Sequence, residues 1–332
     1  MSEIESVREL AHDFAEAELR PHAEAWDRDR AMDPAVVSQL GELGFFGMLA
    51  PEEHGGMAFD LPTYLAALEM LAWGEPSVAL TLSIHSAFAV SLLLRHGTPE
   101  QQARWLPALA SGAVVGCFAL SEPDAGSDAA AVAARAVRAG DGWRLSGEKK
   151  WVTNGESAGL AVVIARTGES EGPDGLSAFL VPTDAVGYQV GARERTMGLR
   201  AAEVVSVGLK DVELGPEALL GEEGAGFRYA MQGLDLGRLG IAAQAVGIAQ
   251  AALDHALAYA GEREQFARKI REFEAIQFKL ADMATRVEAA RALLTRAGVE
   301  QSTARSSMAK LFASETAMYV ATEAVQIYGG YG

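Results

Sequence analysis

Two stretches of this 332-residue chain carry residue types that could hold a polar, planar ligand. The first is Gly116 to Asp128, GCFALSEPDAGSD, where an apolar strand-like run from Cys117 to Leu120 leads into small and hydroxylated residues. Side chains that small let a ligand reach the backbone, whose N–H groups and neighbouring hydroxyls then face it. The second is Trp151-Val152-Thr153-Asn154-Gly155, a flat aromatic close to a hydroxyl donor. Together they could cover a planar heterocycle and hydrogen-bond one of its edges. An ordinary surface loop with a core tryptophan is the other reading of the same residues.

Other patterns suggest different chemistry. Gly155-Glu156-Ser157-Ala158-Gly159 satisfies GxSxG, and His54-Gly55-Gly56 resembles an upstream oxyanion-hole motif, so an esterase is an alternative class. A nucleophile elbow must join a strand to a helix, yet the segment from Leu160 (LAVVIA) reads as β, and only His255 lies downstream. The six histidines, at 12, 22, 54, 85, 96 and 255, never pair at ligand spacing, so no metal site is expected. The single cysteine, Cys117, excludes an intramolecular disulfide and a CxxC site. Gly221 to Gly226 (GEEGAG) lacks the dinucleotide spacing and reads as a flexible turn.

The elements that must position these residues fall into three regimes. Up to about residue 112 the signals are helical, with Asp33-Pro34 and Thr98-Pro99-Glu100-Gln101 as helix starts. Short β segments follow, among them Leu160 to Ala165 and Leu176 to Val181, and a Ser146-Gly147 turn signal separates Trp143–Leu145 from Trp151–Thr153. After Gly226 helices return, with Leu234 to Ala260 rich in small residues and Phe273 to Thr295 apolar at helical spacing. Segregated blocks of this kind predict an α+β fold: a helical domain (1–113), a middle antiparallel β-barrel domain (114–226) and a C-terminal helical bundle (227–332).

Composition narrows the partners. With 28 Lys and Arg against 45 Asp and Glu, the net charge is −17, which disfavours nucleic acid. Ser77 to Leu94 runs 18 residues without a charge, but its serines, threonine and histidine suit a buried core helix better than a membrane span. No signal peptide is visible, and a cytoplasmic, soluble protein is expected.

The motifs in this order resemble the acyl-CoA dehydrogenase flavoprotein family over essentially the whole length. Ala119 to Asp128 (ALSEPDAGSD) matches the family's first signature throughout. Gly44 to Gly56, Trp151 to Gly155, Leu219 to Phe227, Asp235-Leu236-Gly237-Arg238, Arg263 to Phe266 and Gln326 to Gly330 match as well. The resemblance implies FAD as cofactor, α,β-dehydrogenation of an acyl-CoA thioester, reoxidation by an electron-transfer flavoprotein, and a homotetramer. By matching positions, Phe118, Leu120, Ser121, Trp151 and Thr153 would hold the isoalloxazine ring. Arg263, Phe266, Gln326, Gly329 and Gly330 would reach the pyrophosphate and adenosine of a neighbouring subunit's flavin. Ser127 would contact cofactor and substrate, and Asp235 and Arg238 the CoA portion; on spacing alone, that pair at i and i+3 could equally be an intrahelical ion pair.

Two departures from the family pattern stand out. The family's catalytic base is a glutamate either within the helix motif that reads Asp235-Leu236-Gly237-Arg238, where Gly237 cannot serve, or beyond Gly332. The sequence is therefore expected to be C-terminally truncated, and no residue in it is assigned as the base; Glu323 is expected to serve packing or solvation. Glu274 stands where many members carry a glutamine near the flavin phosphates. Ala79 occupies the place of the arginine found in members acting on dicarboxylyl thioesters, so a monocarboxylyl chain is expected. A same-scaffold oxidase or monooxygenase, or a catalytically silent relative, is the alternative.

Overall fold

The computed structural model describes residues 2–170 and 172–332. Helices come first: α1 (Glu3–Phe14), α2 (Ala23–Asp29), α3 (Pro34–Glu42), α4 (Leu61–Gly74), α5 (Pro76–Ile84), α6 (Ser91–His96) and α7 (Pro99–Ala110). Strands β1 (Gly116–Ala119), β2 (Arg135–Ala139), β3 (Gly142–Thr153), β4 (Leu160–Arg166), β5 (Leu176–Pro182), β6 (Tyr188–Arg193), β7 (Val204–Leu214) and β8 (Leu219–Leu220) follow. The chain returns to helix in α8 (Gly226–Glu262), α9 (Glu274–Glu300) and α10 (Thr303–Tyr328), with the hairpin β9 (Glu264–Gln265) and β10 (Arg268–Lys269) after α8. The α+β succession expected from the sequence is thus present.

Local chemistry sets the boundaries. Asp33 accepts from Ala35 N at 2.9 Å ahead of Pro34, and Thr98 and Gln101 form a reciprocal capping box that starts α7. Residues 76–96 run helically through a π-type stretch (His85–Val90). This segment and α8 are long and apolar enough to cross a membrane, but 83% and 61% of their apolar windows are buried inside the protein, as in core helices.

By contacts the chain forms two compact units, each assembled from separate segments. One comprises Met1–Ala23, Leu61–Leu80 and Arg238–Gly332. In it α1 packs on α4, α4 on α9 and α9 on α10. Small residues allow close approach: a Cβ at Gly247 would lie 2.2 Å from the Glu69 carbonyl oxygen. The buried Glu69 carboxylate is held by Arg291 (2.9 Å) and Arg8 (3.2 Å).

The other unit comprises Glu24–Asp60 and Thr81–Gly237. Its sheet has the order β6-β7-β3-β2-β4-β5-β8, with β1 added on β4. Pairing is antiparallel except between β1 and β4 and between β2 and β4, so the sheet is mixed rather than antiparallel throughout. Cys117, Trp143, Leu145, Val152, Val163, Phe179, Val205 and Val207 pack in its core. One local expectation is corrected: Ser146-Gly147 does not turn the chain; β3 runs through it with an irregularity in its pairing to β7 between Leu145 and Gly147. Gly221 to Ala225 does form a turn between β8 and α8, and two bonds hold it: Ser177 Oγ accepts from Gly224 N (2.8 Å) and Tyr229 Oη from Glu222 N (3.2 Å).

His85 anchors β1 by accepting the Gly116 N–H on Nδ1 at 3.0 Å. Its complete burial lowers its pKa from the ordinary 6.5 to about 4. As pH falls from 6.5 towards 4 the unfolded chain takes up this proton and the folded one does not, so stability falls by about 3 kcal/mol across that window. Urea unfolding at pH 7 and pH 4.5 should show His85→Gln losing less stability on acidification than wild type, and an equal loss would contradict the assignment.

Candidate active site

The site begins where β1 ends. Phe118 is half-buried, and its ring stacks on Phe88 with centroids 4.1 Å apart and planes 8° from parallel. Phe88 is in turn fitted against α8, where a Cβ at Gly233 would meet it at 2.6 Å and one at Gly237 at 3.4 Å. Leu120 is buried, Ser121 half-exposed and Ser127 exposed. The turn that follows is closed by paired backbone bonds between Glu122 and Ala125, and a Cβ at Gly126 would meet nothing within 4 Å.

Trp151 reaches the same place from β3. Between Lys149 and Val152 the strand has one residue more than its partner, which pairs them with Val207 and Val205. This bulge places Trp151 at φ +60° and leaves its indole 62% exposed, while Val152 points into the core. Bulges beside functional sites commonly re-aim a side chain in this way. A bulky residue in the left-handed region is strained, and such strain persists where its surroundings or a function require it. Ser121 is brought next to Trp151 by the Lys150 N–H, which donates to the Ser121 carbonyl at 2.8 Å. Asn154, also at positive φ, donates from Nδ2 to the carbonyls of Thr81 (3.1 Å) and Gly116 (3.2 Å), tying the end of β3 to α5 and β1.

In the other unit a second group forms around the hairpin. Phe266 and Ala267, at φ +55° and +58°, are the two turn residues between β9 and β10. A two-residue turn with both φ values positive matches the sheet twist but usually takes Gly or Asn. Here it holds out Phe266, 90% exposed. The Arg263 guanidinium lies over Tyr331 with 5.9 Å to the ring centroid. Gln326, Gly329 and Gly330 are exposed at the end of α10, and a Cβ at either glycine would meet nothing within 4 Å. Glu274 opens α9, where the helix N-terminus favours a carboxylate and the exposed side chain is free to face solvent.

The donor set suits FAD. Ser121, whose carbonyl accepts from Lys150, and Thr153, two residues past Trp151, are hydroxyl-bearing residues close in the backbone to an exposed indole, types that suit the hydrogen-bonding edge and flat rings of a flavin. In the other unit Arg263 carries a planar fork of the kind that pairs with a diphosphate. Asp235 and Arg238 both lie on α8.

Sequence reasoning missed two residues, Lys149 and Glu122, which form an ion pair of 2.7 Å beneath this turn. The signal was an inward-facing lysine in the alternating pattern of β3, where Trp143, Leu145 and Lys149 are buried. Two other candidates fall away. Ser157 lies between two strands and its hydroxyl donates to the Glu203 carboxylate at 2.8 Å, so the elbow required of an esterase is absent. Glu323 pairs with Lys279 across α10 and α9, which gives it a packing role.

Comparison with known proteins gives concordant matches. Models of the acyl-CoA dehydrogenase N-terminal, middle and C-terminal domains match residues 1–113, 117–212 and 224–332. The chain is 44% identical to the mitochondrial short-chain specific acyl-CoA dehydrogenase of Bos taurus over 331 residues, 98% of this chain and 80% of that protein. Butyryl-CoA dehydrogenase from Megasphaera elsdenii has a TM-score of 0.97 at 38% identity, over 100% of this chain and 89% of the other. A chain from structural work on the electron transferring flavoprotein of Acidaminococcus fermentans has a TM-score of 0.98 at 41% identity, over 100% of this chain and 88% of its own.

Proposed function

The chain belongs to the acyl-CoA dehydrogenase family, and on that premise we propose that it converts a monocarboxylyl acyl-CoA thioester to the α,β-enoyl-CoA and passes the electrons to an electron-transfer flavoprotein. It is an FAD-dependent oxidoreductase of this class. The observation that carries the reading is the strained, exposed Trp151 set beside Ser121 at the end of β1.

Bound FAD supplies the hydride acceptor. Phe118, Leu120, Ser121, Trp151 and Thr153 would hold its ring system, with the Thr153 hydroxyl as a donor. Arg263, Phe266, Gln326, Gly329 and Gly330 would hold the diphosphate and adenosine of a neighbouring subunit's cofactor. Ser127, Asp235 and Arg238 would orient the CoA portion, and Ser127 would also touch the cofactor. Hydrogen bonds to the thioester carbonyl would make the α-proton easier to remove. The absence of any Lys or Arg between Ser77 and Leu94 supports an uncharged acyl end, and the short-chain and butyryl-CoA relatives support a short one. Likeness to the Acidaminococcus chain supports the choice of electron acceptor.

Assembly as a homotetramer is supported by apolar residues left uncovered on the last two helices. Met308, Leu311, Met318 and Val325 on α10 and Phe278 on α9 are each more than half exposed. On α10 their spacing of three and seven lines one face.

Anaerobic addition of acyl-CoA thioesters tests the reaction. In a full-length chain that carries the catalytic base, butyryl-CoA should bleach the flavin absorbance and glutaryl-CoA should not; no bleaching of that chain across short, medium and branched thioesters would refute the proposal. Arg263→Ala should weaken FAD binding about 10- to 100-fold, the worth of one charge-assisted contact, while circular dichroism stays unchanged because Arg263 is exposed. Unaltered binding would remove Arg263 from the site.

A further inference from the structure

Lys149 is fully buried and the Glu122 side chain nearly so, at 0% and 7% exposure. The ammonium donates to Glu122 Oε1 at 2.7 Å and to the Leu120 carbonyl at 3.0 Å. The carboxylate also accepts the Ala133 N–H on Oε2 (2.7 Å) and the Ala134 N–H on Oε1 (3.0 Å). Burial draws the Lys149 pKa down to about 8, with Glu122 opposing the shift, so the lysine remains an ammonium at neutral pH. Stability alone does not account for it, since well-packed apolar residues commonly replace a buried ion pair without loss.

What the pair holds is more informative. Leu120 and Glu122 flank Ser121, and Ala133 and Ala134 lie at the far end of the turn that starts there, so Glu122 clamps both ends of the loop. Lys149 stands two residues before Trp151 on the bulged strand. A single buried ammonium therefore joins the β1 exit, the loop and the strand that presents the indole.

We propose that Lys149 and Glu122 are positioning residues that fix the spacing between Ser121 and Trp151, so that losing the pair loosens the cofactor while the chain stays folded. This rests on the flavin reading of Ser121 and Trp151 given above. The alternative is a purely structural pair, for which cofactor affinity would only follow stability.

The discriminating variant is the double Lys149→Met/Glu122→Gln, which leaves no unpaired buried charge but deprives the Leu120 carbonyl of its ammonium donor and one of the Ala133 and Ala134 N–H groups of its acceptor, because an amide nitrogen cannot accept. FAD is titrated into apoprotein with flavin fluorescence as readout, beside urea unfolding and the visible circular dichroism of the bound flavin. The double variant should have a lower midpoint but remain fully folded without urea, bind FAD at least tenfold more weakly under those conditions and show an altered flavin dichroism. The single Lys149→Met, which strands Glu122, should be worse in both stability and affinity. A double variant that binds FAD within twofold of wild type with unchanged dichroism overturns the proposal. Should the double variant not fold, Glu122→Asp keeps both charges while withdrawing the carboxylate by one methylene. Threefold or more weakening at unchanged stability supports the proposal, and unchanged affinity overturns it. Wild-type apoprotein that takes up no FAD would instead count against the flavin site itself.

Discussion

Trp151→Gly should be more stable than Trp151→Ala by about 1 kcal/mol, the reverse of the usual order within a β-strand. Both variants lose the same indole, so its partial burial cancels from the comparison and only the backbone remains. At φ +60° alanine keeps the clash that tryptophan suffers, and glycine does not. Both variants should bind FAD about 10- to 100-fold more weakly, taking the stacking of a flat ring on an aromatic side chain as ~1–3 kcal/mol. Urea unfolding of the two apoproteins and an absorbance titration with FAD measure the two effects separately. If alanine proves the more stable residue, Trp151 is not strained; if affinity holds, the indole is not part of the flavin site.

The pairing of these two effects bears on why the strain exists. An exposed tryptophan contributes little to the core, and the bulge that presents it costs ladder bonds as well as backbone energy. Phe266 repeats the pattern, a large aromatic at positive φ and 90% exposed on a two-residue turn. Both residues belong to motifs for which the family resemblance implies flavin contacts. Selection for stability would have put glycine or asparagine at either place, so the aromatic side chains point to a ligand that uses them.

The sequence made the motifs and helix starts legible because they are local. Asp33, Thr98 and Gln101 cap helices through bonds to residues two or three positions away, and such spacing can be read directly. The bulges could not be read in this way. Whether Gly147 and Trp151 turn, bulge or continue depends on the register of β7, some sixty residues on in the chain, and Ser146-Gly147 resembles a turn until that partner is placed. Lys149 and Glu122 were hidden for the same reason, since a lysine in an alternating strand gives no sign of which carboxylate it will meet. The division into two units was equally illegible: α8 is one uninterrupted helical signal, yet the units divide within it, between Gly237 and Arg238.

Gly226→Ala should cost at least about 3 kcal/mol, at the upper end of overpacking effects, whereas Gly126→Ala should leave stability within about 0.5 kcal/mol of wild type. A Cβ on Gly226 would lie 2.4, 2.6 and 2.8 Å from the carbonyl carbon, Cα and nitrogen of Ser177. Those are backbone atoms of β5, which is paired on both edges and fully buried at Ser177, so no side chain can swing away to relieve the contact. Relief requires the start of α8 to back away from the sheet, and the bonds from Gly224 to Ser177 and from Glu222 to Tyr229 would go with it. At Gly126 the added methyl meets nothing within 4 Å, and its φ lies outside the positive range that strains other residues. The glycines of these two segments therefore serve different ends, one closing a helix onto a strand and the other keeping a loop open. Thermal or urea unfolding of both variants decides this: equal losses would refute it. A fall in FAD or acyl-CoA affinity in Gly126→Ala at unchanged stability would then locate the ligand against that loop, because no contact within the protein is left to account for it.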